Sequence, residues 1–308
     1  MITFDERRFA HVFRKVFRAF EAQTHLFAIL SYKTVGPQHL NCPKKITVGS
    51  REFMYWLTLT AWCDKRTNSA DLYAKMALLF SNHRQFFDVG YLPKEGYLAN
   101  LFHRYGLGLM QSVPREFIER KRHLDSFFDG DPRAIYRGTK TIEELMKKLH
   151  DLGRNSGVGN VFPGAKEKIF TLLAMFLSEL SELDFGEVVP IDVWVQSIST
   201  STGVLKGRGQ IDHNEVERTL RPPMASLFNN EFRHVQGAAN ATYMLGVELC
   251  KTCRVRDHRA TCPIYSDCNG PFKRTRHPES GKHYGRITIP PNYIGKNGDG
   301  QKNLFVAD

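Results

Sequence analysis

Four of the chain's six cysteines lie within nineteen residues, as Cys250-x2-Cys253-x8-Cys262-x5-Cys268. A backbone that gathers four sulfurs over so short a span is confined to a tight loop. In a reducing interior that loop is a thiolate site for a metal rather than a pair of disulfides. Cys42 and Cys63 lie far upstream, so cysteine is not used as a general staple. No N-terminal stretch joins a basic start, an apolar core and a small-residue cleavage site, which points to a cytoplasmic, nucleoid-associated or nuclear protein that is not secreted. Four thiolates suit an iron–sulfur cluster and a structural zinc alike. The five-residue gap between Cys262 and Cys268 favours a 4Fe-4S cluster, with zinc as the alternative. His258, the other donor in the loop, reads as a solvated histidine among Arg254, Arg256, Asp257 and Arg259.

Charge narrows the partner. The 308 residues hold 43 Lys and Arg against 32 Asp and Glu, a net +11 spread along the chain. Such an excess suits a polyanion, most simply nucleic acid, because neutralised phosphates release their counterions. No apolar run approaches the ~20 residues of a membrane span, so no membrane partner is expected.

Hydrophobic periodicity is helical nearly throughout. Phe9, Val12, Phe13, Val16, Phe17 and Phe20 recur at three- and four-residue steps, which predicts an amphipathic helix over 6–32. Residues 33–50, with Gly36, Pro37, Pro43 and Gly49, read as a connection. Residues 51–63 are apolar almost all round, the mark of a buried helix. Further helices are expected at 68–81 (capped by Asn68 or Ser69), 142–152, 167–180, from about 193, and as two segments in 213–249 separated near Pro222 and Pro223. Arg286–Ile289 suits a short strand. With no repeat, heptad array or βαβ alternation, the fold class is all-α.

The most specific segment is 161–196. Phe162-Pro163-Gly164-Ala165-Lys166-Glu167-Lys168 is a Pro-Gly turn leading from a short helix into a longer one, with Lys168 in its first turn. Backbone N–H groups at such a turn hold phosphates. Val189-Pro190-Ile191-Asp192 then places an aspartate at the start of the next helix. Each has an ordinary reading alone, Lys168 as a surface lysine and Asp192 as an N-cap.

Together these motifs resemble the helix-hairpin-helix (HhH-GPD) DNA glycosylase superfamily, in its endonuclease III and 8-oxoguanine glycosylase branches. The family hairpin, roughly Leu-Pro-Gly-Val-Gly-x-Lys, matches residues 162–168 in register, except that Lys166 stands at the second glycine. The family's Val-Asp or Val-Pro-Val-Asp turn matches 189–192. Leu59-Thr60-Ala61-Trp62, with Asn68-Ser69-Ala70 and Leu72-Tyr73, resembles its early buried helix and the start of the next. Leu245-Gly246 ahead of Cys250 resembles the approach to the endonuclease III cluster loop. The last cysteine gap agrees with the family's and the first two differ.

The resemblance implies a two-lobed helical fold with a C-terminal metal-cluster loop. The expected layout is 51–190 as the bundle with the hairpin, 191–270 as the second lobe with the cysteine loop, 1–50 packing with that lobe, and 271–308 as a basic extension. It implies a monomer that acts on double-stranded DNA carrying a damaged or modified base, flipped into a pocket. Lys168 would attack C1′, expel the base and leave a Schiff base that β-eliminates, with Asp192 stabilising the cationic sugar and activating the lysine. Pro163, Gly164 and Lys166 would hold phosphate. Trp62 stands where the family inserts a side chain into the flipped-base gap, or is a core tryptophan, and Trp194 shares that ambiguity. Cys250, Cys253, Cys262 and Cys268 would hold the cluster. Asp184 and Glu187, alternative acids, sit in a polar turn. His83, Arg84, His103, Arg104 and the 119–122 run line a DNA face or are plain surface, and Lys273-Arg274-Thr275-Arg276-His277 is a phosphate-contacting strip or a solvated tail. A monofunctional glycosylase, an enzyme processing deliberately modified DNA, and a non-catalytic DNA-binding module on the same fold are the alternatives.

Overall fold

The computed structural model describes residues 3–29, 41–64, 69–107, 112–206, 209–231, 241–250, 253, 258–268, 274–275 and 286–289. Two compact units divide the chain: residues 1–34 with 191–308, and residues 35–190. The protein is predominantly helical. In chain order the helices are α1 (Glu6–Glu21), α2 (Leu26–Ile29), α3 (Arg51–Ala61), α4 (Ser69–Asn82), α5 (Glu95–Arg104), α6 (Val113–Phe128), α7 (Arg133–Tyr136), α8 (Ile142–Ser156), α9 (Glu167–Leu180), α10 (Val193–Ser201) and α11 (His213–Glu231). Short strands pair antiparallel: β1 (Thr3–Phe4) with β2 (Leu205–Lys206), and β5 (Arg286–Ile289) between β3 (Gly209–Asp212) and β4 (Arg274–Thr275). The strand expected at 286–289 is therefore present, as the centre of a three-stranded sheet.

Local chemistry explains most element ends. Asp5 caps α1 by accepting from the Arg8 N–H, and Ser50 caps α3 through Phe53. Thr141 and Glu144 form a reciprocal capping box at the start of α8. The long helix expected over 6–32 stops at Glu21 instead, because Gln23 and His25 adopt positive φ before the chain re-enters a helix at Leu26. Residues 30–40 and Asn68 lie outside the described residues. Nor do Pro222 and Pro223 divide their segment, since α11 runs straight through both. Val216, Leu220, Met224, Leu227 and Phe228 are buried along it, and Phe228 meets Phe17 edge-on at 4.7 Å. That packing outweighs the ~3 kcal/mol an interior proline costs.

Helices α5, α6 and α7 fill the stretch that sequence left without elements. Helix α6 carries two buried cations, Arg120 and Lys121, on the face it turns to the core. The Lys121 ammonium, fully buried, donates to Tyr55 Oη at 2.8 Å, to the Asp88 carbonyl at 2.7 Å and to Asp125 Oδ2 at 2.8 Å. Its three protons are thus all used. Tyr55 donates to Asp125 as well, and the Gly90 N–H reaches Asp125 Oδ2 at 2.9 Å. Removing one partner of such a buried pair strands a charge, which costs about 3–5 kcal/mol. Asp125→Ala is expected to lose that much in urea unfolding, and the Lys121→Met, Asp125→Leu double variant to lose less than Asp125→Ala alone.

Candidate functional site

The segment 157–168 is built on glycines whose geometry leaves no choice. Helix α8 ends on Gly157 at φ 73°, and Gly159 and Gly164 also lie in the left-handed region at 71° and 72°. A β-carbon on Gly153 would run into the Gly159 carbonyl, so the loop lies against α8 only because residue 153 has none. Phe162-Pro163-Gly164-Ala165 is then a tight turn closed by Ala165 N–H to the Phe162 carbonyl at 3.1 Å. Proline at its second position and a positive-φ glycine at its third are the type II signature. The expected short helix before Pro163 is replaced by this loop. Helix α9 begins immediately after it, with Lys166 at the N-cap making no side-chain cap bond.

Arg120 locks the turn to the end of α3. Its Nε donates to the Pro163 carbonyl at 2.6 Å, its Nη1 to the Trp62 carbonyl, and its Nη2 to Glu116 one turn earlier on α6. The guanidinium is 2 % exposed. A β-carbon on Gly164 would sit 2.7 Å from both Arg120 Nη2 and Glu116 Oε2, so the clamp closes only over glycine. Phe162 completes the joint, with Trp62 at 4.7 Å, Phe128 at 5.7 Å and Phe170 at 5.9 Å between ring centroids. Trp62 itself is 2 % exposed, packed in the core. Inserting it into DNA would require the indole to leave that packing.

Lys168 lies in the first turn of α9 and is exposed, as is Lys166 at the N-cap. Among the described residues Lys168 Nζ has no hydrogen-bond or ion-pair partner. The charge it reaches is Asp64, a half-buried carboxylate just past the C-cap of α3. Burial pushes the Asp64 carboxyl above its usual range, and the Lys168 ammonium opposes that rise. Among the described residues, Tyr73 Oη, Trp62 Nε1 and Trp56 Nε1 of the same unit are buried without a hydrogen-bond partner. Burial, Asp64 and Cys63 together push the Tyr73 phenol well up, which places its hydroxyl within the field of Asp64. Buried unsatisfied groups cost free energy and mark sites that complete their bonding with a ligand. Asp64 carries no short-range sequence signal; only its burial and the charge of Lys168 single it out.

The other acids have structural partners. Glu187 accepts from the Ile142 N–H at 2.8 Å, capping α8, and the exposed Asp184 pairs with Lys140. Asp192, in the other unit, is the N-cap of α10, accepting from the Trp194 and Val195 N–H groups at 2.8 and 2.9 Å. Arg84 pairs with Glu52 at 2.7 Å, and His83 stacks on Phe86 at 5.4 Å.

In the unit of residues 1–34 and 191–308, a π-helical turn, Leu245–Cys250, delivers Cys250 at its last residue. Its Gly246 lies against Trp194 so closely that any β-carbon would overlap the indole. Trp194 is therefore a packing surface for the approach to the cysteines. The loop 261–268 is tied to the N-terminal helices. The Leu26 N–H donates to the Thr261 carbonyl at 2.8 Å, and Arg8 Nη2 to the Asp267 carbonyl at 3.0 Å. Lys15 reaches Asp267 Oδ2 at 2.7 Å and His11 reaches Oδ1 at 3.2 Å. Burial alone would raise the Asp267 carboxyl; the Lys15 and His11 contacts hold it below its usual value.

The described residues contain no group of three or more His, Cys, Asp or Glu side chains arranged to hold a metal ion. The four thiols are nevertheless electrostatic neighbours. Burial pushes the Cys250 thiol well up, and Cys268, Cys262 and Cys253 add to the rise. Burial, opposed by the Ile264 N–H and reinforced by Cys253 and Asp267, pushes Cys262 up to about 11. Arg254, Arg256, Asp257, Lys273, Arg276 and His277 lie outside the described residues. Among the described residues no helix is long and apolar enough to cross a membrane.

No family model matches the chain, and no curated protein matches it.

Asp64 gives a pH dependence with a definite sign. Its carboxyl is raised in the folded protein above the ordinary 3.8, so between those two values the folded state binds more protons than the unfolded chain. Stability contributed by Asp64 thus falls as pH rises through that window. Asp64→Asn is expected to melt above the wild type at neutral pH, and the difference to shrink as pH falls through that window towards about 4; thermal unfolding across pH measures it.

Proposed function

We propose that this chain is a DNA glycosylase with associated lyase activity, of helix-hairpin-helix type, acting on duplex DNA that carries a damaged or modified base. One observation carries the reading: an exposed lysine stands in the first turn of a helix entered by a rigid Pro-Gly turn, within electrostatic reach of the half-buried Asp64 carboxylate, which lies near a buried Tyr73 hydroxyl that has no partner among the described residues. The uncapped start of α9, with Gly164 and Lys166 exposed beside it, suits a backbone phosphate, since helix N-terminal N–H groups and a lysine both favour an anion. The net charge of +11 suits a duplex.

In this role Lys168 is the nucleophile. Its neutral amine attacks the deoxyribose C1′ of a flipped nucleotide as the bond to the base breaks. The nitrogen then forms an imine with C1′, the imine acidifies the C2′ proton, and β-elimination breaks the strand. Asp192 faces the cationic sugar in the glycosylase likeness, while its contacts within its own unit are those of a helix cap. Cys250, Cys253, Cys262 and Cys268 would hold a 4Fe-4S cluster, with zinc as the alternative, and either would brace the loop that α1 tethers. When bound, such a group would supply rigidity to the loop.

The exposure of Lys168 favours a second reading, a DNA-binding module without catalysis. Borohydride trapping separates the two. Incubated with a duplex containing one abasic site and then reduced, the wild type is expected to give a covalent protein–DNA adduct and Lys168→Ala none. Well-folded wild type that binds the duplex without any adduct would overturn Lys168 as the nucleophile and leave the monofunctional and binding-only readings. Brown absorbance near ~400 nm, lost in Cys250→Ser, is expected for the cluster; a colourless protein with bound zinc would decide for the alternative.

A further inference from the structure

We propose that Asp64 is a proton carrier for Lys168, taking the proton that Nζ sheds as it bonds to the sugar C1′ and returning it to the sugar oxygen that leaves C1′. The inference rests on the reading of Lys168 as the nucleophile and adds to it a residue that no motif in the chain marks.

Position comes first. Asp64 follows the C-cap of α3, and its N–H is bonded to the Ala61 carbonyl at 3.1 Å, so its backbone is part of the helix end. That end is the one Arg120 ties to the Pro163 turn, from which α9 and Lys168 start. The carboxylate and Nζ are thus mounted on two elements held by one buried clamp. They feel each other's charge yet are not within the 4.0 Å of an ion pair. A reacting carbon and its oxygen bound between the two groups would be within reach of both.

Surroundings come second. Among the described residues the Asp64 carboxylate accepts no hydrogen bond from any side chain or N–H. Among the described residues, Lys168 from α9 and Tyr73 from α4 interact with it electrostatically. The Tyr73 hydroxyl, 2 % exposed and without a partner, is a donor at hand when the carboxylate is charged. A carboxylate left unpaired and half-buried costs stability, and such groups persist where chemistry uses them. Burial also raises its proton affinity towards the range in which a carrier both accepts and releases a proton.

The steps balance. On an abasic aldehyde the Nζ lone pair forms the N–C1′ bond and the carbonyl π pair moves on to the oxygen. The Asp64 carboxylate removes one proton from the resulting ammonium and delivers it to that oxygen, giving a neutral carbinolamine. A second proton, drawn from water, lets the oxygen leave as water while the nitrogen lone pair forms the C1′=N bond of the protonated imine. In an intact nucleoside the base departs with the electron pair of its C1′–N bond, and the carried proton goes to O4′ as the ring opens.

The test is the single-turnover rate of cyanoborohydride-trapped adduct on an abasic duplex, from about pH 5 to 8, for wild type, Asp64→Asn, Asp64→Glu and Lys168→Ala, with duplex affinity measured alongside. Asp64→Asn is expected to bind the duplex as the wild type does, to form adduct about a hundredfold more slowly, and to lose the acid-side limb of the pH profile. Asp64→Glu, which keeps the carboxyl, is expected to recover part of the rate and the limb. Asp64→Asn with an unchanged rate and profile, beside an inactive Lys168→Ala, would overturn the role of Asp64 alone. So would a variant with altered melting whose profile stays intact, since a structural role moves only the former. Adduct formation by Lys168→Ala would instead overturn the nucleophile, and with it this inference.

Discussion

Arg120 is the interaction on which the candidate site depends. A guanidinium taken out of water is costly, and it is tolerated here because a fork of donors meets two carbonyls and a carboxylate at once. The carbonyl of Trp62 belongs to a helix end, where the backbone carries partial negative charge. The Pro163 carbonyl belongs to a turn whose shape is set by the ring of Pro163 and the left-handed Gly164. Joining them makes one rigid piece of segments a hundred residues apart. Phe162 seals that piece from water with three aromatic neighbours. Among the described residues the Tyr73 hydroxyl has no partner, and it lies within the field of Asp64 at the end of α3.

The unit that holds the cysteines follows a similar logic with opposite charges. There an acid, Asp267, is gripped by Lys15 and His11 from α1, and Arg8 holds its carbonyl. Basic residues at positions 8, 11 and 15 fall on one face of α1, beside the phenylalanine stripe that buries it. Gly246 and the flat face of Trp194 set the approach of Cys250 from the other side. The N-terminal segment is thus a brace for the loop 261–268.

Much of the helical framework was legible because its apolar spacing is regular. Helix α3 buries every residue from Phe53 to Ala61, and α9 starts and stops at the residues its spacing indicates. The failures share a cause. Helix α6 is dense in charge, and its 119–122 run reads as surface, yet Arg120 and Lys121 are among the most buried side chains of the chain. Their burial is made possible by Pro163, Trp62, Tyr55 and Asp125, partners that local sequence does not reveal. Likewise Pro222 and Pro223 look like a break, and tertiary packing carries the helix past them. Of the site, Lys168 and the turn were visible in a compact motif. Asp64 was not, because its chemistry comes from distant residues that bury it and from a lysine on another helix.

The most direct test of this account is Arg120→Lys. Lysine keeps the charge and can still reach Glu116, but it lacks the fork that holds two carbonyls together. Far-UV circular dichroism establishes that the helices remain, and the single-turnover rate of trapped adduct on an abasic duplex reports the site. The account predicts an intact helical protein whose adduct forms at least about tenfold more slowly, because Lys168 and Asp64 are no longer held in register. A folded Arg120→Lys protein that traps the abasic site at the wild-type rate would contradict it.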